Sequence, residues 1–121
     1  MSAVEPITAS VAHREGVTVV TVGGEIDLST APAFEAAITE ALEGDPPVLL
    51  IELSAVEFMA SVGLRILAAT NEKVGESTRM GVVTDNPAAS RPIQLTGLDS
   101  VVSLYPTLDK ALTALAITSG G

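Results

Sequence analysis

Apolar positions switch along the chain between an alternating period and a helical one, and the switches divide it into nine elements. Residues 7–12 alternate weakly and end in the turn Arg14-Glu15-Gly16. Val17 to Val22 (Val-Thr-Val-Val-Thr-Val) is the clearest strand, rich in β-branched residues. So short a connection predicts an antiparallel hairpin, with Gly23-Gly24 ending its second strand. Glu25 to Thr30 then leads into a helix that Ser29 or Thr30 can cap. Pro32 lies in its first turn, where a missing N–H costs nothing. Phe34, Ala37, Ile38, Ala41 and Leu42 make one buried stripe, while Glu35, Thr39, Glu40 and Glu43 fall on other faces. Gly44-Asp45-Pro46-Pro47 stops this helix.

The second half alternates strands and helices, with no internal repeat in the sequence. Val48 to Leu53 is almost wholly apolar, as expected of a strand covered on both faces. After a short connection, Ser61 opens an amphipathic helix running to about Val74, before Gly75. Met80, Val82 and Val83 give the next strand, and strand–helix–strand predicts a right-handed parallel crossover. Asn86-Pro87 reads as cap and first position of a helix that Pro92 keeps short or bent and Gly97 terminates. Val101 to Leu104 is a last short strand. Leu108, Ala111, Leu112 and Leu115 mark a last helix, and residues 117–121 read as a frayed tail. The expected fold is α/β: one domain over residues 1–121 with a core of about 6–116. A mixed central sheet, antiparallel in its N-terminal hairpin and parallel afterwards, packs with about four helices. In such sheets function gathers where strands hand over to helices, which singles out the junction before Ser61.

Charge changes the picture more than composition does. The 121 residues suit a single core, built mainly from Leu, Ile, Val and Ala, since Phe34, Phe58 and Tyr105 are the only aromatics. The absence of cysteine excludes disulfides and thiolate chemistry. Neither a signal segment nor a membrane-length apolar run is present, which makes the cytoplasm the expected location. The net charge of −9 lies entirely in residues 1–60, where ten acids face the single base Arg14. Such a surface gains nothing from counterion release on nucleic acid and favours a basic protein partner.

Little of the chain suits catalysis. His13 is the sole histidine, so neither a metal cluster nor a Ser-His-Asp arrangement is expected. Gly23-Gly24 lacks the spacing of a nucleotide cradle, and no cofactor is expected. Leu53-Ser54 stands where a phospho-aspartate site would need an acid. Glu25 and Asp27, two apart near a strand end, would project to one side. They suit contact with a partner better than hydrolysis, which would require a deep pocket lined by both. Ser61 can be a helix cap or a phosphate acceptor. Three neighbours fit the second role. Gly63 would let another surface approach, the helix N-terminus favours an anion, and Arg65 follows one turn later on the same face.

The pattern resembles the STAS-domain anti-sigma factor antagonists, particularly those of actinobacteria. Gly24-Glu25-Ile26-Asp27 matches their G-E-[LI]-D segment, and Phe58-Met59-Ala60-Ser61-Val62-Gly63-Leu64 their F-[MLI]-D-S-[SA]-G-L segment. Asn86-Pro87 through Arg91, then Gly97-Leu98, match a third, so the likeness spans roughly residues 6–116. It implies a STAS fold and a partner-switching regulator of transcription in the stress response, not an enzyme. The unphosphorylated form would bind an anti-sigma factor of the serine-kinase type and release a sigma factor. Phosphorylation at Ser61 would end binding, and a phosphatase of PP2C type would restore it. Glu25, Asp27, Ala60, Val62, Gly63 and Arg65 would meet the partner. Two positions depart from the family: Ala60 replaces the aspartate beside the acceptor, and Val62 replaces a small residue. A STAS-like scaffold that is not phosphorylated is the alternative that Ala60 allows.

Overall fold

The computed structural model describes residues 7–115. Its first two strands, β1 (Ile7–Arg14) and β2 (Val17–Ile26), form the antiparallel hairpin, closed at Gly16 with φ +82°. Helix α1 (Ala31–Leu42) returns the chain to β3 (Val48–Met59), which pairs parallel with β2. Helix α2 (Ser61–Val74), β4 (Arg79–Val83) and α3 (Pro87–Leu95) complete the next unit. A single 3-10 turn (Leu98–Ser100), the short β5 (Ser103–Tyr105) and α4 (Leu108–Leu115) close the described chain. The five strands lie side by side in chain order, antiparallel only between β1 and β2, so the mixed α/β sheet with four helices is as expected. The frayed tail expected at 117–121 lies outside the described residues.

The sheet separates two cores. Leu49, Ile51 and Leu53 of β3 join Val20 and Val22 of β2 beneath the buried stripes of α1, α2 and α3. Val19, Val48, Leu50 and Val83 turn to the other face, where Ala111 and Leu115 of α4 cover them. This two-sided cover explains why the run at 48–53 is apolar at every position but Glu52.

Three boundaries differ from expectation. Gly23-Gly24 does not end β2. The strand continues to Ile26 through two register shifts, one between Thr21 and Gly23 and one between Gly24 and Glu25. Gly24 takes φ +92°, and a Cβ on Gly23 would meet Thr8 Oγ1 at 3.0 Å and Ala55 Cβ at 3.1 Å. The glycines are therefore bulge residues rather than a stop. Likewise β3 does not stop at Leu53 but runs six residues further, its register with β2 continuing to Ile26 opposite Met59. At the far end, Val101-Val102 belongs to the turn after the 3-10 segment, and only Ser103–Tyr105 pair with β4.

The extension of β3 outruns β4, whose pairing ends with Glu52 opposite Val83. Asn86 fills the gap. Its Nδ2 donates to the carbonyls of Ser54 and Val56, while its Oδ1 accepts from Ala88 N–H at 3.1 Å. One side chain thus caps α3 and replaces the missing ladder. Asn86→Ala is expected to lower unfolding free energy by about 1–3 kcal/mol in urea denaturation, because it orphans partly buried carbonyls and removes a cap.

Candidate functional site

The candidate site is the rim where β2 and β3 end and α1 and α2 begin. Ala60 N–H donates to the Ile26 carbonyl at 2.8 Å, joining the start of α2 to the end of β2. Glu25 stands in register with Phe58, beside Glu57, and Asp27 follows Ile26, the last paired residue of β2. The fold therefore brings Glu25, Asp27, Glu57, Ala60 and Ser61 to one edge.

Ser61 is exposed and is the first residue of α2, not its cap. The cap position belongs to Ala60, with φ −81° and ψ 169°, and no side chain caps the helix. Gly63 N–H bonds the Ala60 carbonyl at 2.9 Å. No side-chain acceptor competes for the first-turn N–H groups, and the positive end of the helix dipole faces outward. Arg65 is exposed four residues on, on the face that Ser61 occupies. Val62 is half-buried and leans on the main core.

Gly63 has a different part from the one expected. It is buried, and a Cβ there would come to 2.9 Å from Ile26 Cγ2 and 3.0 Å from Met59 Cγ. The missing side chain lets α2 settle onto the ends of β2 and β3, so this residue offers no face to a partner. Gly63→Ala is expected to destabilise the protein by up to about 2 kcal/mol net in urea titration. Overpacking there outweighs the roughly 1 kcal/mol that alanine gains over glycine in a helix.

Asp27 organises the turn into α1. Its Oδ1 accepts from Ser29 Oγ (2.7 Å), Ser29 N–H (2.9 Å) and Thr30 N–H (3.1 Å). Thr30 sits at the cap position, but its hydroxyl turns back to the Glu25 carbonyl at 2.8 Å and accepts from Asp27 N–H at 2.9 Å. Neither Ser29 nor Thr30 therefore caps α1 with its side chain as expected, and Asp27 instead fixes the turn that precedes the helix. The Ser29 hydroxyl above all, aided by the N–H groups of Thr30 and Ser29 and the Thr30 hydroxyl, holds the Asp27 carboxyl below its ordinary range against an opposing desolvation. A carboxyl kept ionised in this way makes a poor general acid, and none of the main recesses is lined by Glu25 or Asp27. No group of three or more potential metal-ligating side chains occurs among the described residues.

Sequence reasoning passed over two residues here. Leu28 (79% exposed) and Phe58 (52% exposed) are large apolar side chains standing in water on the rim. Leu28 had a legible signal, an apolar residue inside a polar turn and off the stripe of α1. Phe58 had none, because a strand-end aromatic reads as core.

The family model for the STAS domain matches residues 8–111. The chain belongs to the STAS family. This STAS domain is 53% identical over 115 residues to the anti-sigma-F factor antagonist RsfB of Mycobacterium tuberculosis, covering 95% of this chain and 94% of that one. It superposes with a TM-score of 0.88, at 58% identity, on the crystal structure of an anti-sigma factor antagonist from Mycobacterium paratuberculosis, covering 95% of this chain and 98% of that one. Unphosphorylated SpoIIAA shares the fold, with a TM-score of 0.73 at 16% identity over 89% of this chain and 96% of its own. No helix among the described residues of the STAS domain is long and apolar enough to cross a membrane.

The Asp27 turn carries a pH dependence. Because its folded pKa is depressed, the carboxylate's contribution is full above about pH 5 and is lost as pH falls through the folded value. Asp27→Asn is therefore expected to unfold more easily than wild type near neutrality, and the difference should shrink toward about pH 3. Paired urea titrations across that range check it.

Proposed function

We propose that this protein is an anti-sigma factor antagonist. With Ser61 unmodified it binds an anti-sigma factor, which releases its sigma factor. The reading rests on an exposed Ser61 at the uncapped start of α2, on a rim whose sequence resembles that of named antagonists. Glu25, Asp27, Ala60, Val62 and Arg65 surround the contact.

The switch follows from the charge placed there. A serine-kinase anti-sigma factor transfers the terminal phosphoryl group of its ATP to Ser61 Oγ. ADP leaves, and the hydroxyl proton passes to a base on the partner. The product carries about −1.5 to −2 additional charge beside Glu25, Asp27 and Glu57. Against a surface fitted to a neutral hydroxyl, that charge is desolvated among acids and binding fails. The first-turn N–H groups and Arg65 favour the phosphate within the free domain, so modification leaves the fold intact. A PP2C-type phosphatase would return the hydroxyl by hydrolysis. Dependence on ATP and on sigma factors makes the cytoplasm the place of action.

Ala60 favours a second reading, a constitutive interaction module, because no acid flanks the acceptor. Incubation with the anti-sigma-F factor of M. tuberculosis and ATP, followed by phosphopeptide mass spectrometry, separates the two. Label on Ser61 is expected, and its absence favours the constitutive module. Ser61→Ala should bind that factor but resist inactivation by ATP, whereas Ser61→Glu should lose at least tenfold in affinity by calorimetry. Equal binding by wild type and both variants refutes the switch.

A further inference from the structure

Two of the four large apolar side chains that stand exposed among the described residues, Leu28 and Phe58, are on the rim. Leu28 sits in the turn that Asp27 fixes through Ser29 and Thr30, so its backbone is held although its side chain touches little. Phe58 is placed by the register of β3 with β2, opposite Glu25 and two residues before the cap of α2. The Ala60 to Ile26 hydrogen bond ties these two segments together, with Ser61 next in the chain. Both side chains are presented on rigid backbone, and an exposed apolar group gains most when an interface covers it. Their nearest charged neighbours in sequence and register are acids: Asp27 before Leu28, and Glu57 before and Glu25 opposite Phe58.

We infer that Leu28 and Phe58 are the apolar anchors of the anti-sigma contact, and that the partner presents an apolar recess bordered by Lys and Arg side chains. This rests on the function proposed above and adds what supplies the affinity that Ser61 phosphorylation cancels. Buried apolar anchors supply most of the energy in typical interfaces, while a rim of charge sets orientation and encounter rate. The acids supply the second part. The net −9 of residues 1–60 makes a basic surface the complementary one, and disfavours a second copy of this chain.

The test is calorimetry of the full chain against the purified anti-sigma-F factor of M. tuberculosis, with wild type, Leu28→Ser, Phe58→Ser and Ser61→Glu. Thermal melts of each variant guard against misfolding. Leu28→Ser and Phe58→Ser are expected to lose at least tenfold in affinity each, with wild-type melting temperatures and with Ser61 still labelled at saturating kinase. Raising salt should weaken the binding of wild type and of both apolar variants by a similar factor, since all three keep the acids. If both apolar variants bind within twofold of wild type while Ser61→Glu does not bind, the anchors are wrong and the switch stands. If wild type fails to bind, the underlying function falls and the anchors with it. Self-association abolished by Leu28→Ser in sedimentation would put a second copy on the patch and overturn the assignment.

Discussion

The site depends on one constraint, the continuation of the β2–β3 pairing beyond the point where β4 gives out. From Glu52 opposite Val83 onward, β3 has a ladder partner on one side only. It stays extended because β2 absorbs two register shifts through Gly23 and Gly24, and because Asn86 supplies donors to the Ser54 and Val56 carbonyls. The outcome is the Ala60 to Ile26 bond that sets α2 against the end of β2. That bond carries the pairing one step past Ile26 and Met59, so that Ser61 and the Asp27 turn leave the sheet side by side.

Much of this was written locally and was therefore legible. Helix α2 was expected at Ser61 to about Val74 and is found at Ser61–Val74, because its apolar period starts and stops cleanly. Asn86 as a cap followed by Pro87 was equally plain. What failed to show was non-local. The run 48–53 is apolar because α4 and the other helices cover both faces. Beyond it Ala55, Glu57 and Phe58 are exposed, and the alternation is blurred by the bulges. Such a stretch looks like a loop although it is paired. Gly23-Gly24 looked like a stop for the same reason, since a glycine pair reads identically in a bulge and in a turn.

Among the site residues, the sequence reading located the place better than it assigned the parts. Glu25, Asp27, Ala60 and Ser61 do converge. Gly63, however, makes room inward for Ile26 and Met59 rather than outward for a visitor. Asp27 has a structural duty that short-range patterns allow but do not select, because Ser29 and Thr30 were equally good caps on paper. Ser61 moved one position along the helix, from cap to first residue. That shift matters, since a capping hydroxyl would be engaged with its own backbone, whereas a first-turn hydroxyl is free.

The free energy of the proposed switch therefore has to sit in the interface rather than in the fold. Within the isolated domain, an anion at the start of α2 gains about 0.3–1 kcal/mol from the helix end. Exposed neighbouring acids oppose it by a similar small amount, screened by salt. The two nearly cancel, and the domain keeps its shape. Once a partner excludes water, the cancellation fails. The phosphate loses hydration, the repulsion from Glu25, Asp27 and Glu57 is no longer screened, and the cost rises to about 2–5 kcal/mol. At about 1.4 kcal/mol per tenfold, that removes one to four orders of magnitude in affinity. On the proposed reading, a rim of acids beside a serine at an uncapped helix start would convert a modification the fold hardly registers into one that a partner could not tolerate.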